Sequence, residues 1–209
     1  TPVVGMVGLI PDLTKVCGQG WRSAGDLIYL LGVEPSQTKD GVVTLGGSEY
    51  LKQIHQTVAG KPPVVDVQLE LSVQAACRHG IRQGWIQSAH DCAEGGIAIA
   101  LSESCISATK GAKVELAAGD LRLDTLLFGE GGARILVSVA NADRAKWEAY
   151  CQEQGVDCSL IGTVGEANQP LEIKVADDET SLISVSVEEM EAHWGNAIAN
   201  ALENAPETI

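Results

Sequence analysis

Positively charged residues are scarce in this chain of 209 residues. Fourteen lysines and arginines stand against 28 aspartates and glutamates, which gives a formal net charge of −14 at pH 7. Nucleic acids and anionic membranes both attract proteins through clustered positive charge. The composition therefore predicts no nucleic acid and no membrane as a partner. A nucleotide is not excluded, because backbone amides and Mg²⁺ can hold one.

Aromatic residues are equally scarce, at 4%, although 45% of the chain is hydrophobic. The core is therefore expected to consist of Val, Ile, Leu and Ala. No apolar run approaches the roughly 18 residues that span a membrane. The six cysteines form no C-x-x-C pair, which predicts reduced, mostly buried thiols in a cytoplasmic protein. The chain starts in an apolar segment without Met, and we interpret it as a fragment or a processed piece.

The common nucleotide, metal and nucleophile motifs are also missing. The sequence contains no G-x-x-x-x-G-K-[ST], no G-x-G-x-x-G after a strand, no H-E-x-x-H and no G-x-S-x-G. His55, His79 and His193 have polar neighbours on predicted helices, and we interpret them as surface residues. His90 lies beside Asp91 at a strand-to-turn junction, where a hydrogen bond that fixes the turn and a ligand contact are both plausible.

Strand and helix patterns alternate along the chain. Their hairpin-like and crossover spacings together predict an α+β fold, or loosely α/β, with a mixed sheet. The predicted strands are 1–10, 24–31, 85–89, 113–117, 133–140, 160–164 and 171–175, and a polar connector is predicted at 34–41. Helices are predicted at 48–57, between Asp66 and Gly84, after the turn at 91–96, at 121–128, at 142–154 and from the S-x-x-E box at 186–189.

Two adjacent glycines, Gly95 and Gly96, stand where one of these helices should begin. Asp91 is predicted to cap this helix, with Glu94 completing a capping-box-like pattern. Each glycine in a helix interior costs about 1 kcal/mol relative to alanine, so the pair needs a reason. Close backbone approach or a positive φ is the usual one, and a helix N-terminus also attracts anions. A frayed helix end or close helix packing explains the pair equally well.

A second glycine-rich loop, 129–132, precedes a strand, and this order excludes a P-loop. Its simplest interpretation is a helix-to-strand turn. Glu130 and Arg134 have two possible interpretations. They are a carboxylate and a cation near a ligand, or they form a solvated ion pair of little energetic value.

Five segments, in this order, resemble the second half of the formylglycinamide ribonucleotide amidotransferase family, also called phosphoribosylformylglycinamidine synthase. They are TPVVGMVGLI, AGDLIYLLG, LGGSEYL, SAHDCAEGGIAIALSES and LLFGEGGARILVSV. The H-D-C-x-E-G-G signature is similar to that of the small, multi-subunit form. The resemblance covers residues 1–202.

This resemblance implies a protein built from two copies of a two-domain unit similar to aminoimidazole ribonucleotide synthetase. Residues 1–43 would be the last strands of the second N-terminal-type domain, and residues 44–209 the second C-terminal-type α/β domain. The implied reaction uses ATP and Mg²⁺. ATP phosphorylates the amide oxygen of formylglycinamide ribonucleotide, and ammonia from a partner glutaminase displaces the phosphate. The implied partners are the first half of the same synthetase, the glutaminase subunit and a small bridging subunit.

The resemblance places the family's catalytic histidines and its main ATP and Mg²⁺ contacts before this chain. We therefore predict no catalytic and no metal-ligating residue here, and no activity of the chain alone. The family's Glu-Ser-Gln loop corresponds to Glu130–Gly132, which lacks the Ser and Gln, so this loop lines either an auxiliary nucleotide site or nothing. The candidate nucleotide- or phosphate-binding residues are His90, Asp91, Glu94, Gly95, Gly96, Glu130, Gly131, Gly132 and Arg134.

Two alternatives remain open. The chain could be a structural and interaction module that provides packing surface and binds no ligand. It could also belong to another enzyme of the superfamily that acts on aminoimidazole ribonucleotide, selenophosphate or thiamine monophosphate. The signatures of those enzymes differ from H-D-C-x-E-G-G, which makes this alternative the weaker one.

Overall fold

A computed structural model describes residues 3–33, 41–176 and 181–203 of the chain. Seven strands and six α-helices lie in these ranges, together with 3₁₀ turns at Leu13–Lys15 and Asn141–Asp143. The strands are β1 (Leu27–Gly32), β2 (Ile86–Asp91), β3 (Lys110–Leu116), β4 (Arg134–Val139), β5 (Cys158–Ala167), β6 (Leu171–Val175) and β7 (Ser181–Val185). The helices are α1 (Glu49–His55), α2 (Val67–Gln83), α3 (Gly96–Ala108), α4 (Leu123–Phe128), α5 (Arg144–Gln154) and α6 (Val187–Glu203).

All seven strands form one sheet in the order β2-β4-β1-β5-β3-β6-β7. The β3–β6 pair is parallel and the other pairs are antiparallel, so the predicted mixed sheet and α+β class are confirmed. Helices cover both faces. One apolar cluster joins the sheet to α3 and α4, and the other joins it to α2 and α5.

The central strand β1 explains this layered arrangement. All six of its residues are buried, and its side chains alternate between the two clusters, with Ile28 and Leu30 on one face and Tyr29 and Leu31 on the other. A strand that is covered on both faces has a continuous apolar sequence. The strand predicted at 24–31 is therefore confirmed, and it lies between β4 and β5. β1 therefore shares one sheet with strands that follow residue 43.

The strand predicted at 1–10 is wrong for the residues described there. Residues 3–10 form no strand, and their large apolar side chains are exposed; Val3, for example, is 93% exposed. Strand structure requires a paired neighbour, because an isolated extended segment leaves its N–H and C=O groups without ladder partners. The connector predicted at 34–41 lies outside the described residues except for Gly41.

The helix boundaries mostly follow the predicted signals. The Asp66 carboxylate accepts hydrogen bonds from the amides of Gln68 and Leu69, and α2 ends at Gly84 in a left-handed conformation. The Ser186 hydroxyl accepts from the amide of Glu189 at 3.1 Å, which confirms the start of α6.

All six cysteines are free, and four of them are buried. Burial raises the pKa of the Cys77 and Cys105 thiols to about 11, so both are neutral near pH 7. Among the described residues, no helix combines the length and apolar character needed to cross a membrane.

Candidate functional site

The glycine pair lies between β2 and α3, but the helix does not begin as predicted. Asp91 is the last residue of β2, and the N-cap of α3 is Gly95, with φ of 77° and no side-chain capping bond. The prediction that Asp91 caps the helix is therefore wrong. Gly96 is also left-handed, with φ of 67°. The turn between β2 and α3 is therefore made by the two glycines and not by Asp91.

The backbone of Gly96 lies against the C-terminal end of α4. A Cβ atom added at Gly96 would be 2.7 Å from the Gly129 carbonyl oxygen and 2.9 Å from that of Leu127. Real Cβ atoms do not approach other atoms this closely. The two glycine-rich segments are therefore packed directly on each other, and α4 is the close neighbour that requires glycine here.

Glu130 joins the two loops through its side chain. One carboxylate oxygen, Oε1, accepts a hydrogen bond from the Gly95 amide at 2.9 Å and another from the Glu49 amide at 2.9 Å. Glu49 is the first residue of α1, so the same oxygen also satisfies a free N–H group at that helix start. We call this arrangement of Glu49, Gly95 and Glu130 the carboxylate clasp. A carboxylate is a stabilising partner for amides at helix starts.

The backbone of Glu130 is held separately from its side chain. Its amide donates to the Thr44 carbonyl at 2.9 Å, and the Thr44 amide donates back at 3.0 Å. Beside it, a Cβ on Gly131 would collide with the Val42 carbonyl, and one on Gly132 with the Glu70 carboxylate. The Glu70 carboxylate accepts from the Ala133 amide at 2.5 Å. This loop is therefore enclosed by the segment before α1 and by α2.

Arg134 contacts the loop that holds Glu130 and is 2% exposed. Its Nη1 donates to the Gly129 carbonyl at 3.0 Å, so a cation lies at the C-terminal end of α4. Nε and Nη2 are buried and have no partner among the described residues. Burial raises the pKa of the nearby Cys92 thiol, and the Arg134 charge opposes this shift. Arg134 is therefore not part of a solvated ion pair with Glu130.

His90, Asp91 and Glu94 line a different space, a pocket of about 210 Å³ that also includes Glu103. The His90 side chain is 13% exposed, and its Nε2 lies 2.8 Å from the Glu103 carboxylate. Nδ1 lies 3.2 Å from the Asp91 carboxylate. The hydrogen-bonding role foreseen for His90 is present. Because three carboxylates surround this pocket, an unshielded phosphate would be repelled from it.

A second cavity, of about 220 Å³, opens beside the clasp, between α1 and α3. Tyr50 and Phe128 stack in its wall with ring centroids 4.9 Å apart, and Ile99 is 40% exposed there. Gly95 and Glu49 line it too, so the clasp lies at its edge. Sequence reasoning missed this cavity and the role of Glu49. The helix α1 was predicted at 48–57, but no local pattern indicates which loop contacts its first amide.

The predicted site residues thus form two groups. Gly95, Gly96, Glu130–Gly132 and Arg134 lie where the two glycine-rich segments pack on each other, whereas His90, Asp91 and Glu94 face the carboxylate-rich pocket. Among residues 3–33, 41–176 and 181–203, no three His, Cys, Asp or Glu side chains are arranged to hold a metal ion.

A known protein family matches most of this chain. Residues 23–172 match the model described as AIR synthase related protein, C-terminal domain, and the chain belongs to that family. The match begins just before β1, in agreement with the position of that strand inside the sheet.

Comparison with individual proteins narrows the assignment further than the domain family does. The chain is 61% identical, over 204 residues, to phosphoribosylformylglycinamidine synthase subunit PurL of a Cyanothece species, covering 97% of this chain and 26% of that protein. It is 55% identical over 205 residues to PurL of Nostoc punctiforme, covering 97% of this chain and 25% of that protein. The chain therefore spans about a quarter of the length of these relatives.

Solved structures share the fold at low sequence identity. Thermotoga maritima PurL complexed with FGAR has a TM-score of 0.69 at 17% identity, covering 84% of this chain and 29% of that one. PurLQS from the same organism has a TM-score of 0.64 at 15% identity, covering 84% of this chain and 27% of that one. Both support the α+β assignment.

Proposed function

We propose that the whole protein is a phosphoribosylformylglycinamidine synthase, an ATP-dependent carbon–nitrogen ligase of purine biosynthesis in the cytoplasm. It would convert formylglycinamide ribonucleotide, ATP and glutamine-derived ammonia to formylglycinamidine ribonucleotide. The observation that carries this proposal is the 61% identity over 204 residues to a PurL subunit. The share of that subunit covered, 26%, supports a role as one domain, inactive without the remainder.

The partners proposed are the first half of the same synthetase, a glutaminase subunit and a small bridging subunit. The fold shared with PurLQS of Thermotoga maritima supports a multi-subunit setting. Exposed apolar side chains supply contact surface for it. They lie along residues 3–16 and on the second half of α6, where Trp194 is 63% exposed.

ATP would supply the phosphoryl group and Mg²⁺ would balance its charge. Among the described residues no cluster of three His, Cys, Asp or Glu side chains could hold a metal by itself, whereas Mg²⁺ commonly uses one or two carboxylates together with substrate phosphates. We therefore propose that Mg²⁺ and most of the nucleotide are held by parts of the protein outside this chain. The proposed contribution of this chain is a phosphate or nucleotide contact at the glycine turn that begins α3, because a helix start favours an anion.

A second candidate function is a structural and interaction module without ligand. The clasp favours it, because the Glu130 carboxylate already accepts the hydrogen bond of the Gly95 amide. The carboxylate-rich pocket at His90 favours it too.

Titration with ADP and Mg²⁺ separates these two candidates. At 100 times its dissociation constant a ligand stabilises the chain by about 2.7 kcal/mol, which a thermal melt detects. A shift that Gly95→Ala abolishes supports the phosphate contact, and no shift supports the module. The synthetase proposal itself is tested with the full-length protein, ATP, formylglycinamide ribonucleotide and ammonia. Absence of formylglycinamidine ribonucleotide would contradict it, and turnover by the 209-residue chain alone would contradict the predicted location of the catalytic groups.

We also propose a revised domain boundary. Residues 3–16, which are all exposed, belong to the N-terminal-type domain, and the C-terminal-type domain begins before Trp21, which is buried in the same core as β1, instead of at residue 44. The pairing of β1 with β4 and β5 supports this shift. Limited proteolysis tests it, with cleavage expected before Trp21 and a protected product that retains β1.

A further inference from the structure

A basic groove lies between α2 and the segment that precedes β1. Its volume is about 370 Å³, and its walls are residues 9–12 and Lys15 on one side and Arg78, Ile81 and Arg82 of α2 on the other. We propose that this groove is the docking site for an acidic segment of the same subunit, from the part that lies outside these 209 residues. This inference rests on the proposed function in one respect, namely that the chain is one domain of a longer subunit.

Charge distinguishes this groove from the rest of the chain. It contains three cations, Lys15, Arg78 and Arg82, and one carboxylate, Asp12, although the whole chain has a net charge of −14. The Asp12 carboxylate accepts hydrogen bonds from the amide and the hydroxyl group of Thr14, at 2.9 and 2.7 Å. A positive groove on an acidic molecule attracts a negatively charged partner.

The two arginines are free to pair with such a partner. They are exposed and lie one turn apart on α2, on the same side of the groove. Within residues 3–33, 41–176 and 181–203, no hydrogen bond or ion pair of either guanidinium group is present. Each guanidinium group can donate two parallel N–H bonds to one carboxylate. The groove therefore fits a segment with two acidic side chains better than a single small anion.

The groove is already formed in this chain, and part of its lining is apolar. Lys15 Nζ donates to the carbonyl of Arg82 at 2.7 Å, which fastens the preceding segment to the end of α2. The Leu9 and Ile10 side chains are 97% and 63% exposed. Exposed apolar groups beside cations suit a protein surface, whereas a chain with a net charge of −14 repels a nucleic acid. The occupant is therefore expected to carry apolar side chains among its carboxylates.

The small size of the groove favours an occupant from the same subunit. Eight residues line it, whereas a stable interface between separate chains uses about 20–30 residues on each side. A covalently linked segment binds at a high effective concentration, so a small contact is sufficient for it. The chain covers 26% of the PurL subunit of Cyanothece, so the proposed longer subunit has ample length to supply such a segment.

The experiment compares Arg78→Glu in two contexts, the full-length protein and the 209-residue chain. Cleavage by chymotrypsin within residues 3–16 is measured, because this segment is exposed in the chain and forms one wall of the groove. We expect the full-length variant to be cleaved about fivefold faster than the unmodified full-length protein, which corresponds to the loss of an exposed ion pair. In the 209-residue chain, the same substitution should leave the cleavage rate unchanged.

Lys61→Glu is the matched control, because it makes the same change in net charge at an exposed lysine outside the groove. Its cleavage should equal that of the unmodified protein in both contexts. Arg78→Lys, which keeps the positive charge, should retain most of the protection. Raising the salt concentration from about 0.1 M to about 1 M should accelerate cleavage of the unmodified full-length protein relative to the 209-residue chain, because salt screens exposed charge pairs.

Equal effects of Arg78→Glu in the two contexts, or no effect in the full-length protein, would overturn the docking site. Protection that depends on protein concentration, or that requires added glutaminase and bridging subunits, would also overturn it, because the occupant would then be a second copy or a separate subunit. The proposed function is tested separately, by synthesis of formylglycinamidine ribonucleotide in the unmodified full-length protein. A full-length protein that lacks this activity but shows protection dependent on Arg78 would contradict the proposed function and support the docking site.

Discussion

The two glycine-rich loops resemble each other in sequence but need glycine for different reasons. Gly95 and Gly96 have φ values of 77° and 67°, which side chains rarely adopt. In the loop 129–132 no glycine has a positive φ, and the left-handed residue is Ala133, with φ of 52°. There the glycines admit a close neighbour, as Gly131 does for the Val42 carbonyl. Similar glycine runs can thus encode either a backbone conformation or a contact.

These two reasons for glycine, a positive φ and a close neighbour, also predict which glycine-to-alanine substitution destabilises the fold most. Gly96 combines both requirements, because its positive φ coincides with the approach of α4. Gly131 has only the close approach, and Gly84, which ends α2, has only the positive φ. These three positions allow the conformational and steric contributions to be measured separately.

The largest effect is expected for Gly96→Ala. Strain at the positive φ and a collision with the Gly129 carbonyl together should lower the free energy of unfolding by about 3 kcal/mol. Gly84→Ala is the control, since φ is 78° there and nothing lies within 4 Å of the added Cβ. It should cost about 1 kcal/mol. Urea denaturation measures both, and equal costs would show that the contact with α4 contributes nothing.

Gly131→Ala should have the next largest effect, about 2 kcal/mol, because the added methyl group displaces the Val42 backbone. Gly18→Ala is the matched control, with an ordinary φ and open space around the added Cβ. Its free energy of unfolding should change by less than about 0.5 kcal/mol. A Gly131→Ala variant as stable as the control would contradict the enclosed loop.

Asp26 precedes β1, and its residue is buried, whereas Glu130 is half-buried. Burial raises its pKa above the ordinary value of 3.8, and the hydrogen bond from the Ser23 amide opposes this shift. The folded state thus holds the proton more tightly than the unfolded state, and stability falls as pH rises from about 3.8 through the raised pKa. Asp26→Asn should lack this fall. Its stability relative to the original chain should increase between pH 3 and pH 7 in urea titrations, and a difference independent of pH would contradict this.

The smallest effect is expected for Lys52→Ala on α1. Lys52 forms an exposed ion pair with the Glu49 side chain at 2.9 Å. Such pairs contribute less than about 0.5 kcal/mol. Because the clasp uses the backbone amide of Glu49, exchange of that amide should remain as slow as before. Faster exchange would indicate that the ion pair, and not Glu130, holds the start of α1.

The sequence predicted features that depend on neighbours along the chain. Asp66 and Gly84 delimit α2, and apolar runs identify β1 and β4. It could not predict features that depend on distant partners. The apolar segment 3–10 lacks strand partners, and β7 was missed because its residues Ser181–Val185 alternate only weakly and lie at the sheet edge.

The candidate site shows the same limit. The glycine pair indicates an unusual backbone, but the prediction of Asp91 as the cap relies on a capping pattern that is local, and Gly95 is the N-cap. The actual partner of the Gly95 amide is Glu130, 35 residues away. No spacing rule connects these positions, because their contact results from α4 packing against the start of α3.

The most direct test of the clasp is an NMR correlation transmitted across its hydrogen bonds. It would connect the amide nitrogens of Gly95 and Glu49 to the carboxyl carbon of Glu130 in the unmodified chain. We predict both correlations to the same carbon, with slow exchange of both amides. Amides of Gly95 and Glu49 that exchange as fast as those of an unstructured peptide, with neither correlation present, would contradict the clasp.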